Sequence, residues 1–499
     1  MSSEPGAAAA PQEADRADAP PQRERGRPAG SALDVARRVL ERVEQGAYAT
    51  LTLSGELERW NVPATARALC TELVYGPLRL LPRLDRALSA YAPRGLRSLD
   101  LPTRTLLRLG AYQLLFMRTP PHAAVNQTVE LITRLRGRGL GGFANALLRR
   151  LHRDGEPPLP ELGPLPERPT AAQNTAYVEA LALRYALPRF LAADALQRFG
   201  AEEAAVFLQS LGTPAPTWLR VNTLRGDREQ ARRILRAELS RQPGNGEVLF
   251  HPAVPEAAQL TAGHPFAGRA YADGWFTAQD LGAQLVARLL LAETRQGPLG
   301  LPAGPLLDAC AGVGGKATHL AALTANRREI DAADRSPRKL ELCADHAHRL
   351  GCQSVRTLVA DLTRADAPLR PQYAAVLLDA PCSGLGVLRR HPEARYRITE
   401  QSVQGLVELQ RALLEALALR VAPGGVLVYS VCSYLDAEGP QQLAEFRRRH
   451  PEFSPLPPAA QFAADTSGAA PIDDAGGLRT WPHRHDADGF YAFRLQRVE

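Results

Sequence analysis

The sequence is poor in lysine and cysteine, and it has no long apolar run. Only two of its 60 basic residues are lysines, Lys316 and Lys339, so arginine is the general cation of this chain. Its six cysteines form no Cys-X-X-Cys pair, which argues against a disulfide framework or a zinc ribbon. No run reaches the ~18 apolar residues that cross a bilayer, and residues 1–20 lack the basic and apolar segments of a secretory signal. These absences predict a cytoplasmic protein that binds neither a membrane nor a metal.

The positive charge is concentrated in one region of the chain. Residues 31–153 contain nineteen arginines against nine Asp and Glu, an excess of ten, whereas all 499 residues together carry +7. The rest of the chain therefore carries a net charge of −3. A compact basic region favours a polyanionic partner, most simply nucleic acid. Charge alone leaves a solvated basic face open as the alternative.

Composition and periodicity predict five segments. Residues 1–30 are expected to form a disordered tail, 31–153 an all-α domain, 154–170 a proline-rich linker, 171–264 a small α+β module, and 265–499 an α/β domain. In the second segment Ser31 is placed to cap a first helix, and further helices are predicted at 63–75, 80–92, 102–117, 121–136 and 140–152. Strands of a parallel sheet are predicted at 304–312, 328–334, 355–361, 373–381 and 424–433, with a last strand at 488–498.

A glycine-rich loop, ACAGVGG (309–315), follows a predicted strand and opens a helix, which is the position of a cofactor loop in α/β folds. A Walker A loop would need glycine at 310 and Ser or Thr at 317, where this chain has Cys310 and Ala317. Asp334 follows Gly314 by 20 residues and is placed to accept hydrogen bonds from ribose hydroxyls. This arrangement suits NAD and S-adenosylmethionine equally.

Acidic residues at the predicted strand ends separate these two cofactors. Four strands carry a carboxylate at or near their C-terminal end, namely Asp308, Asp334, Asp361 and Asp379. That edge of a doubly wound sheet is the ligand crevice. Carboxylates suit ribose, amino and sulfonium groups better than a pyrophosphate, which they repel. The pattern therefore favours S-adenosylmethionine.

Two cysteines also follow strands, and both are expected to face the same crevice. Cys382 lies in DAPCSG and Cys432 in YSVCS, after the fourth and fifth strands, which we expect to neighbour the cofactor strand. A thiolate added to carbon 6 of a pyrimidine makes carbon 5 nucleophilic enough to take a methyl group. The pair therefore indicates covalent catalysis, although a single cysteine in such a place is more often a small buried apolar residue.

These motifs carry a resemblance to a known family. The segments DACAGVGGKATH, DAPCSGLGVLRRHPEARY and VLVYSVCS resemble the Nop/Sun family of RNA cytosine carbon-5 methyltransferases, and in particular its bacterial Sun/Fmu type. RVN (220–222), GWFTAQDLGAQL (274–285) and RTWPHRHDADGFYAF (479–493) are similar to further segments of that family. Residues 31–153 are similar to the RNA-binding antitermination factor NusB, a domain fused to the N-terminus of the Sun/Fmu type.

The resemblance implies a fold and an activity. The fold is multidomain: an all-α NusB-like domain, a small α+β RNA-binding module and a Rossmann-like methyltransferase domain. The activity is methylation of carbon 5 of a cytosine in 16S ribosomal RNA, at the cytosine-967-type site. We expect a monomer that takes free RNA or an early assembly particle. A transfer RNA substrate, and a non-catalytic assembly factor with a decayed methyltransferase domain, remain the alternatives.

The resemblance also implies the roles of single residues. The nucleophile falls on Cys432 and the cysteine that assists release on Cys382, whereas DNA methyltransferases use the cysteine at the latter position. Asp379 and Lys316 complete the catalytic set. The cofactor contacts fall on Cys310, Ala311, Gly312, Val313, Gly314, Gly315, Lys316, Asp334, Asp361 and Asp379.

Four positions depart from the family pattern. The loop usually reads Ala-Pro-Gly-Gly-Lys, whereas Gly312 and Val313 stand in place of Ala and Pro here. Val431 replaces the usual threonine before the catalytic cysteine, and Gly439 replaces the usual asparagine after Glu438. A loop with one more glycine and no proline is less rigid, which predicts weaker cofactor affinity.

Overall fold

A computed structural model describes residues 31–242, 246–293, 300–458, 472–473 and 476–498, so the predicted tail 1–30 lies outside the described residues. The chain forms two compact units. The helical unit comprises the described residues up to Gly212 and the segment His391–Arg397, and the sheet unit comprises Thr213–Arg390 and Ile398 onwards. The division into five segments stays a prediction. None of the helices in the described ranges is long and apolar enough to cross a membrane.

Eight α-helices form the helical unit. They are α1 (Ala32–Glu44), α2 (Ala49–Arg59), α3 (Ala64–Ser89), α4 (Leu101–Phe116), α5 (Pro121–Arg136), α6 (Arg138–Asp154), α7 (Ala171–Arg184) and α8 (Arg189–Ser210). The first helix begins where the sequence predicts, because the Ser31 hydroxyl accepts a hydrogen bond from the Asp34 amide at 3.2 Å.

Two helices differ from the sequence prediction. The helices predicted at 63–75 and 80–92 are one continuous helix, α3, which includes Pro77 and Pro82. Tertiary packing overrides the proline signal here, since Gly76 lies so close to the Tyr112 ring that a Cβ would be 2.1 Å from it. Helix α2 was not predicted, because its N-cap residue Tyr48 provides no side-chain cap.

The segment His391–Arg397 belongs to the helical unit although it comes from the middle of the C-terminal half of the chain. The Arg395 side chain is 1% exposed and donates to the carbonyl oxygens of Arg79, Ala186 and Leu211 at 3.1, 3.4 and 3.1 Å. Glu393 accepts from the Ala49 amide at 3.0 Å at the start of α2. These contacts make seven residues of distant sequence an integral part of the helical unit.

The sheet unit contains two sheets and the helices that cover them. Its elements are β1 (Thr217–Val221), α9 (Arg228–Leu239), β2 (Val248–Phe250), β3 (Ala257–Leu260), α10 (Arg269–Ala272), β4 (Phe276–Ala278), α11 (Leu281–Leu291), β5 (Leu306–Ala309), α12 (Gly315–Leu323), β6 (Ile330–Asp334), α13 (Pro337–Leu350), β7 (Val355–Val359), β8 (Tyr373–Asp379), α14 (Glu400–Ala418), β9 (Val421–Val431), α15 (Pro440–Arg449), β10 (Phe453–Pro455), β11 (Leu478–Arg479), α16 (Pro482–His485) and β12 (Tyr491–Arg497).

The strand order explains how the site is assembled. The first sheet is antiparallel with order β2-β3-β1-β4, and the second has order β10-β12-β9-β8-β5-β6-β7 with β11 paired to β12. Strands β5 to β9 are parallel, as the alternating pattern predicts. The last strand, β12, lies between β9 and β10 and is antiparallel to both.

One expected neighbour relation is wrong. Strand β8 pairs with the cofactor strand β5, as predicted, but β9 pairs with β8 and lies one strand further out. The C-terminal ends of β5, β8 and β9 still meet at one edge, since all three run in the same direction.

We predict that Arg395→Ala lowers the free energy of unfolding of the helical unit by about 3 kcal/mol, because three buried carbonyl oxygens lose their donor. Urea unfolding of the full chain, followed by helical circular dichroism, measures this loss. The exposed Arg138 on α6 provides the control, and Arg138→Ala is expected to change stability by less than about 0.5 kcal/mol. Equal stability of the two variants would contradict the anchoring role of Arg395.

Candidate functional site

The glycine loop is held against the end of β6. The Gly312 amide donates to Oδ2 of Asp334 at 2.9 Å, and the Ala311 amide donates to the carbonyl oxygen of Ala333 at 2.9 Å. The second carboxylate oxygen of Asp334 accepts from the Ser336 amide at 2.9 Å. Asp334 therefore fixes the loop directly, and each of its oxygens keeps a further lone pair for a ligand.

Gly314 is required where the loop becomes helix α12. Its φ of +79° lies in the left-handed region, and a Cβ there would be 2.3 Å from Sγ of Cys343. Cys310 also has a positive φ, of +62°, without being glycine. Val313, the residue in place of the usual proline, is 50% exposed. The turn is thus built from unusual backbone conformations that place Lys316 in the first turn of α12.

Lys316 and Asp379 form an ion pair between the ends of β5 and β8. Nζ of Lys316 lies 2.5 Å from Oδ2 of Asp379, and the other carboxylate oxygen accepts from the Ser430 hydroxyl at 2.7 Å. Burial alone would lower the pKa of Lys316, but the charge and hydrogen bond of Asp379 outweigh it and raise that pKa. The ammonium group also lies 5.3 Å from the centre of the Phe490 ring.

The other strand-end acids have different surroundings. Asp308 is fully buried, and burial raises its pKa to about 7 against the opposing effect of Lys316. Asp361 is exposed and accepts hydrogen bonds from the amide and hydroxyl of Thr363, which lower its pKa. The Asp361 carboxylate therefore stabilises the turn to Thr363. Among the described residues it makes no hydrogen bond or ion pair with Lys316 or Asp379. Cys310 contributes a partly exposed thiol whose pKa is raised by desolvation in its surroundings.

The two predicted cysteines come together. Their sulfur atoms are 3.3 Å apart, within hydrogen-bond distance for thiols. The hydrogen bond to Cys432, followed by burial, raises the pKa of Cys382 well above its usual range. A raised pKa favours the neutral thiol form of Cys382.

Gly386 brings the loop after Cys382 against the backbone of Cys432. Its amide donates to the Cys432 carbonyl oxygen at 2.9 Å, and its own carbonyl oxygen accepts from the Gly489 amide at 2.8 Å. A Cβ at Gly386 would lie 1.9 Å from the carbonyl oxygen of Gly489. The second glycine of CSGLG is thus required by close backbone packing, a role that the sequence analysis did not predict.

Arg220 is a second residue whose role was not predicted. It is 2% exposed and donates to the Gly315 carbonyl oxygen at 2.6 Å, to the Thr318 hydroxyl at 2.9 Å and to Gln279 at 2.5 Å. Both residues lie in segments that resemble the family, Arg220 at the start of RVN and Gln279 within GWFTAQDLGAQL. The sequence does not indicate, however, that both side chains support the start of α12. In the described part of the chain, no group of three His, Cys, Asp or Glu side chains is arranged to hold a metal ion.

Comparison with known proteins agrees with this fold and shows the family. The family model of 16S rRNA methyltransferases RsmB/F matches residues 302–496, and that of the NusB family matches residues 31–153. Ribosomal RNA small subunit methyltransferase B of Yersinia pseudotuberculosis is 32% identical over 466 residues, which cover 92% of this chain and 97% of the relative. The protein of the same name from Yersinia pestis matches equally well.

Solved structures share the fold. The crystal structure of PH0851 superposes with a TM-score of 0.74 at 24% identity and covers 93% of this chain and 98% of its own. NSun6 from Pyrococcus horikoshii with SFG has a TM-score of 0.53 at 22% identity and covers 62% of this chain and 98% of its own. The helical N-terminal region, the α/β fold and the sequence relatives lead to one conclusion. The chain belongs to the RsmB/F family of 16S rRNA methyltransferases and carries a NusB-family domain at residues 31–153.

Proposed function

We propose that this protein methylates carbon 5 of a cytosine in 16S ribosomal RNA, at the cytosine-967-type site, through a covalent bond from Cys432. The observation that carries the proposal is the 3.3 Å approach of the Cys382 and Cys432 sulfurs beside the Lys316–Asp379 pair. Membership of a 16S rRNA methyltransferase family supports the substrate class.

The residues around the glycine loop fit S-adenosylmethionine, which supplies a methyl group on a positively charged sulfonium. The Asp334 and Asp379 carboxylates would hold the hydroxyl and cationic groups, and the backbone turn from Cys310 to Lys316 would hold the amino-acid portion. Asp308 is buried and has a pKa of about 7, so it adds little repulsion to this edge. NSun6, which shares the fold, is described with SFG, an analogue of S-adenosylmethionine.

The cysteines divide the chemistry between them. The family resemblance assigns the nucleophile to Cys432, and the hydrogen bond to Cys432 together with burial raises the pKa of Cys382, which favours a neutral thiol there. The Cys432 thiolate adds to carbon 6 and makes carbon 5 nucleophilic, so that carbon 5 would take the methyl group of S-adenosylmethionine while the methyl–sulfur bond breaks and its electron pair stays on the departing sulfur. Once Cys432 is bonded to carbon 6, the hydrogen bond that most raises the pKa of Cys382 is gone. Cys382 can then lose its proton to solvent, accept the carbon 5 proton and allow elimination of Cys432.

The Lys316–Asp379 pair supplies positioning and charge. Asp379 is held on one side by Ser430 and on the other by Lys316, and the carboxylate fixed in this way would accept a hydrogen bond from the exocyclic amino group of the target cytosine. The target base must expose carbon 6, so it must leave its stack or lie in a loop.

The helical unit offers a basic surface for RNA. Arg134 on α5 and Arg138 and Arg149 on α6 are all exposed, as are Arg94, Arg97, Arg118, Arg136, Arg150 and Arg153. Phosphate groups are the expected ligands of such a surface, and this region holds the positive excess of the chain.

We expect the triple variant Arg134→Ala/Arg138→Ala/Arg149→Ala to bind RNA more weakly. The magnitude of the slope of log affinity against log salt concentration should fall by about 2, because a protein that contacts fewer phosphates releases fewer counterions when it binds. Filter binding of a 16S RNA fragment at several salt concentrations measures the slope. Affinity for S-adenosylmethionine should not change. An unaltered salt slope would show that the excess arginines form a solvated face only.

The Lys316→Arg variant is expected to lower kcat at least about tenfold, since a planar guanidinium cannot replace a compact ammonium in the buried contact with Asp379. The only other lysine, Lys339 on α13, is exposed and gives a matched control. Methyl transfer to RNA at saturating substrate is the measurement. If Lys316→Arg turns over as fast as Lys339→Arg, the ammonium has no special role.

The two cysteines are expected to give opposite results on a denaturing gel after incubation with RNA and S-adenosylmethionine. Cys382→Ala should transfer the methyl group and then remain attached to RNA, which gives a slow, protease-sensitive band. Cys432→Ala should give neither methylation nor a band. The reverse pattern would exchange the roles, and full activity in both variants would overturn the covalent mechanism and favour another chemistry.

Substrate identity needs a separate experiment. Bisulfite mapping of RNA from a strain that lacks this gene should show loss of one methylated cytosine in 16S RNA and its return on complementation. Loss confined to a transfer RNA would replace the proposed substrate, and no loss anywhere would favour the non-catalytic assembly factor.

A further inference from the structure

A buried carboxylate lies behind both cysteines. Glu438 is 0% exposed and lies in the turn between β9 and α15. One oxygen accepts from the Ser383 amide at 2.8 Å, and the other accepts from the Ser383 hydroxyl at 2.5 Å and from the Ser433 hydroxyl. Ser383 directly follows Cys382, and Ser433 directly follows Cys432. A single side chain therefore holds the residues next to both sulfurs.

Glu438 is itself held in place from two sides. Nε2 of Gln410 on α14 donates to Oε1 of Glu438 at 3.1 Å and to the Pro381 carbonyl oxygen at 2.9 Å. The Tyr429 hydroxyl donates to the Glu438 backbone carbonyl oxygen at 2.5 Å. The turn, the carboxylate and the residue before Cys382 therefore form one connected network.

The donors to this carboxylate are an amide N–H, two hydroxyls and a side-chain amide, all of them neutral. Moving a carboxylate from water into the protein interior has a large free-energy cost. Charge-assisted hydrogen bonds offset this cost, but the buried group adds little net stability to the fold. What a carboxylate provides here is directed bonds to two separate loops.

We propose that Glu438 is a positioning residue that holds Cys382 and Cys432 at their 3.3 Å separation. This inference rests on the proposed covalent function. The contacts are unequal, since Ser383 is held by its amide and its hydroxyl, whereas Ser433 is held by its hydroxyl alone. The Cys432 backbone has an additional contact, from the Gly386 amide. Loss of the carboxylate should therefore displace Cys382 more than Cys432.

Weakening the contacts of Glu438 is expected to slow the release of RNA through Cys382 more than the attack by Cys432. Glu438→Gln keeps the size of the side chain but removes the negative charge that strengthens its four hydrogen bonds, and it makes the two serine hydroxyls accept where they donated. Attack by Cys432 should be slowed only slightly, and release through Cys382 by about tenfold or more. The fraction of enzyme covalently bound to methylated RNA should therefore rise. A purely structural defect would lower attack and release together and would not accumulate this species.

The test compares full-length wild-type protein with Glu438→Gln, Ser383→Ala, Ser433→Ala and a control, Glu408→Gln, which alters an exposed residue of α14. Denaturing gels and methyl transfer from labelled S-adenosylmethionine follow the adduct and its methylation over time. Melting temperature and S-adenosylmethionine affinity report on folding. Glu438→Gln and Ser383→Ala should accumulate methylated adduct, Ser433→Ala should slow adduct formation, and Glu408→Gln should match the wild type.

A second measurement does not depend on catalysis. Diamide, a thiol oxidant, takes two hydrogen atoms from the two thiols and converts them to a disulfide while it is reduced to the hydrazine. Because the sulfurs are held in contact, wild-type protein should form the Cys382–Cys432 disulfide quickly, as detected by peptide mass spectrometry, and Glu438→Gln should form it several-fold more slowly at an unchanged melting temperature.

The outcomes separate this inference from the proposed function. If Cys382→Ala and wild type form no RNA adduct, the covalent function fails, and the disulfide rate still decides whether Glu438 positions the cysteines. Wild-type adduct levels or a wild-type disulfide rate in Glu438→Gln would overturn the positioning role. A parallel fall of attack, release and melting temperature would also overturn it, because it would reduce Glu438 to a structural residue.

Discussion

Parallel pairing of β5, β8 and β9 is the constraint on which the site depends. It brings three strand ends to one edge, and each end contributes a different part: the glycine loop and Lys316 after β5, Asp379 and Cys382 after β8, and Ser430 and Cys432 at the end of β9. None of these parts is close to the others in sequence. Backbone hydrogen bonds of the sheet set the spacing, and the side chains then need only short contacts to meet.

Residues that do not take part in the proposed reaction also hold this edge of the sheet in place. Arg220 supports the first turn of α12 from the neighbouring antiparallel sheet, and Gly386 permits two loops to pass in van der Waals contact. Burial raises the pKa of Asp308, which is close enough to Lys316 and Asp379 for their charges to affect it.

The sequence predicts the parts of this arrangement that depend on local pattern. The strands, the glycine loop, Asp379 and both cysteines follow from alternation, turn residues and motif spacing, and the structure brings the cysteines together as expected. Local sequence pattern does not predict the features that depend on packing between distant parts of the chain. The prolines of α3 indicate a break that burial against Tyr112 prevents, and the position of β9 one strand beyond β8 depends on sheet order, which no local signal encodes. Asp361 matches the spacing of its neighbours but forms its own turn with Thr363.

The segment His391–Arg397 means that the chain passes between the two units three times, after Gly212, after Arg390 and after Arg397. The helical unit is thus discontinuous in sequence, and its missing piece begins only nine residues after Cys382. A helical unit produced from one continuous fragment would expose the carbonyl oxygens that Arg395 satisfies. Replacing this unit with that of a relative would therefore require the exchange of two separate segments of the chain, and one of them lies inside the methyltransferase half. The basic domain and the catalytic loop are expected to change together in evolution rather than as interchangeable modules.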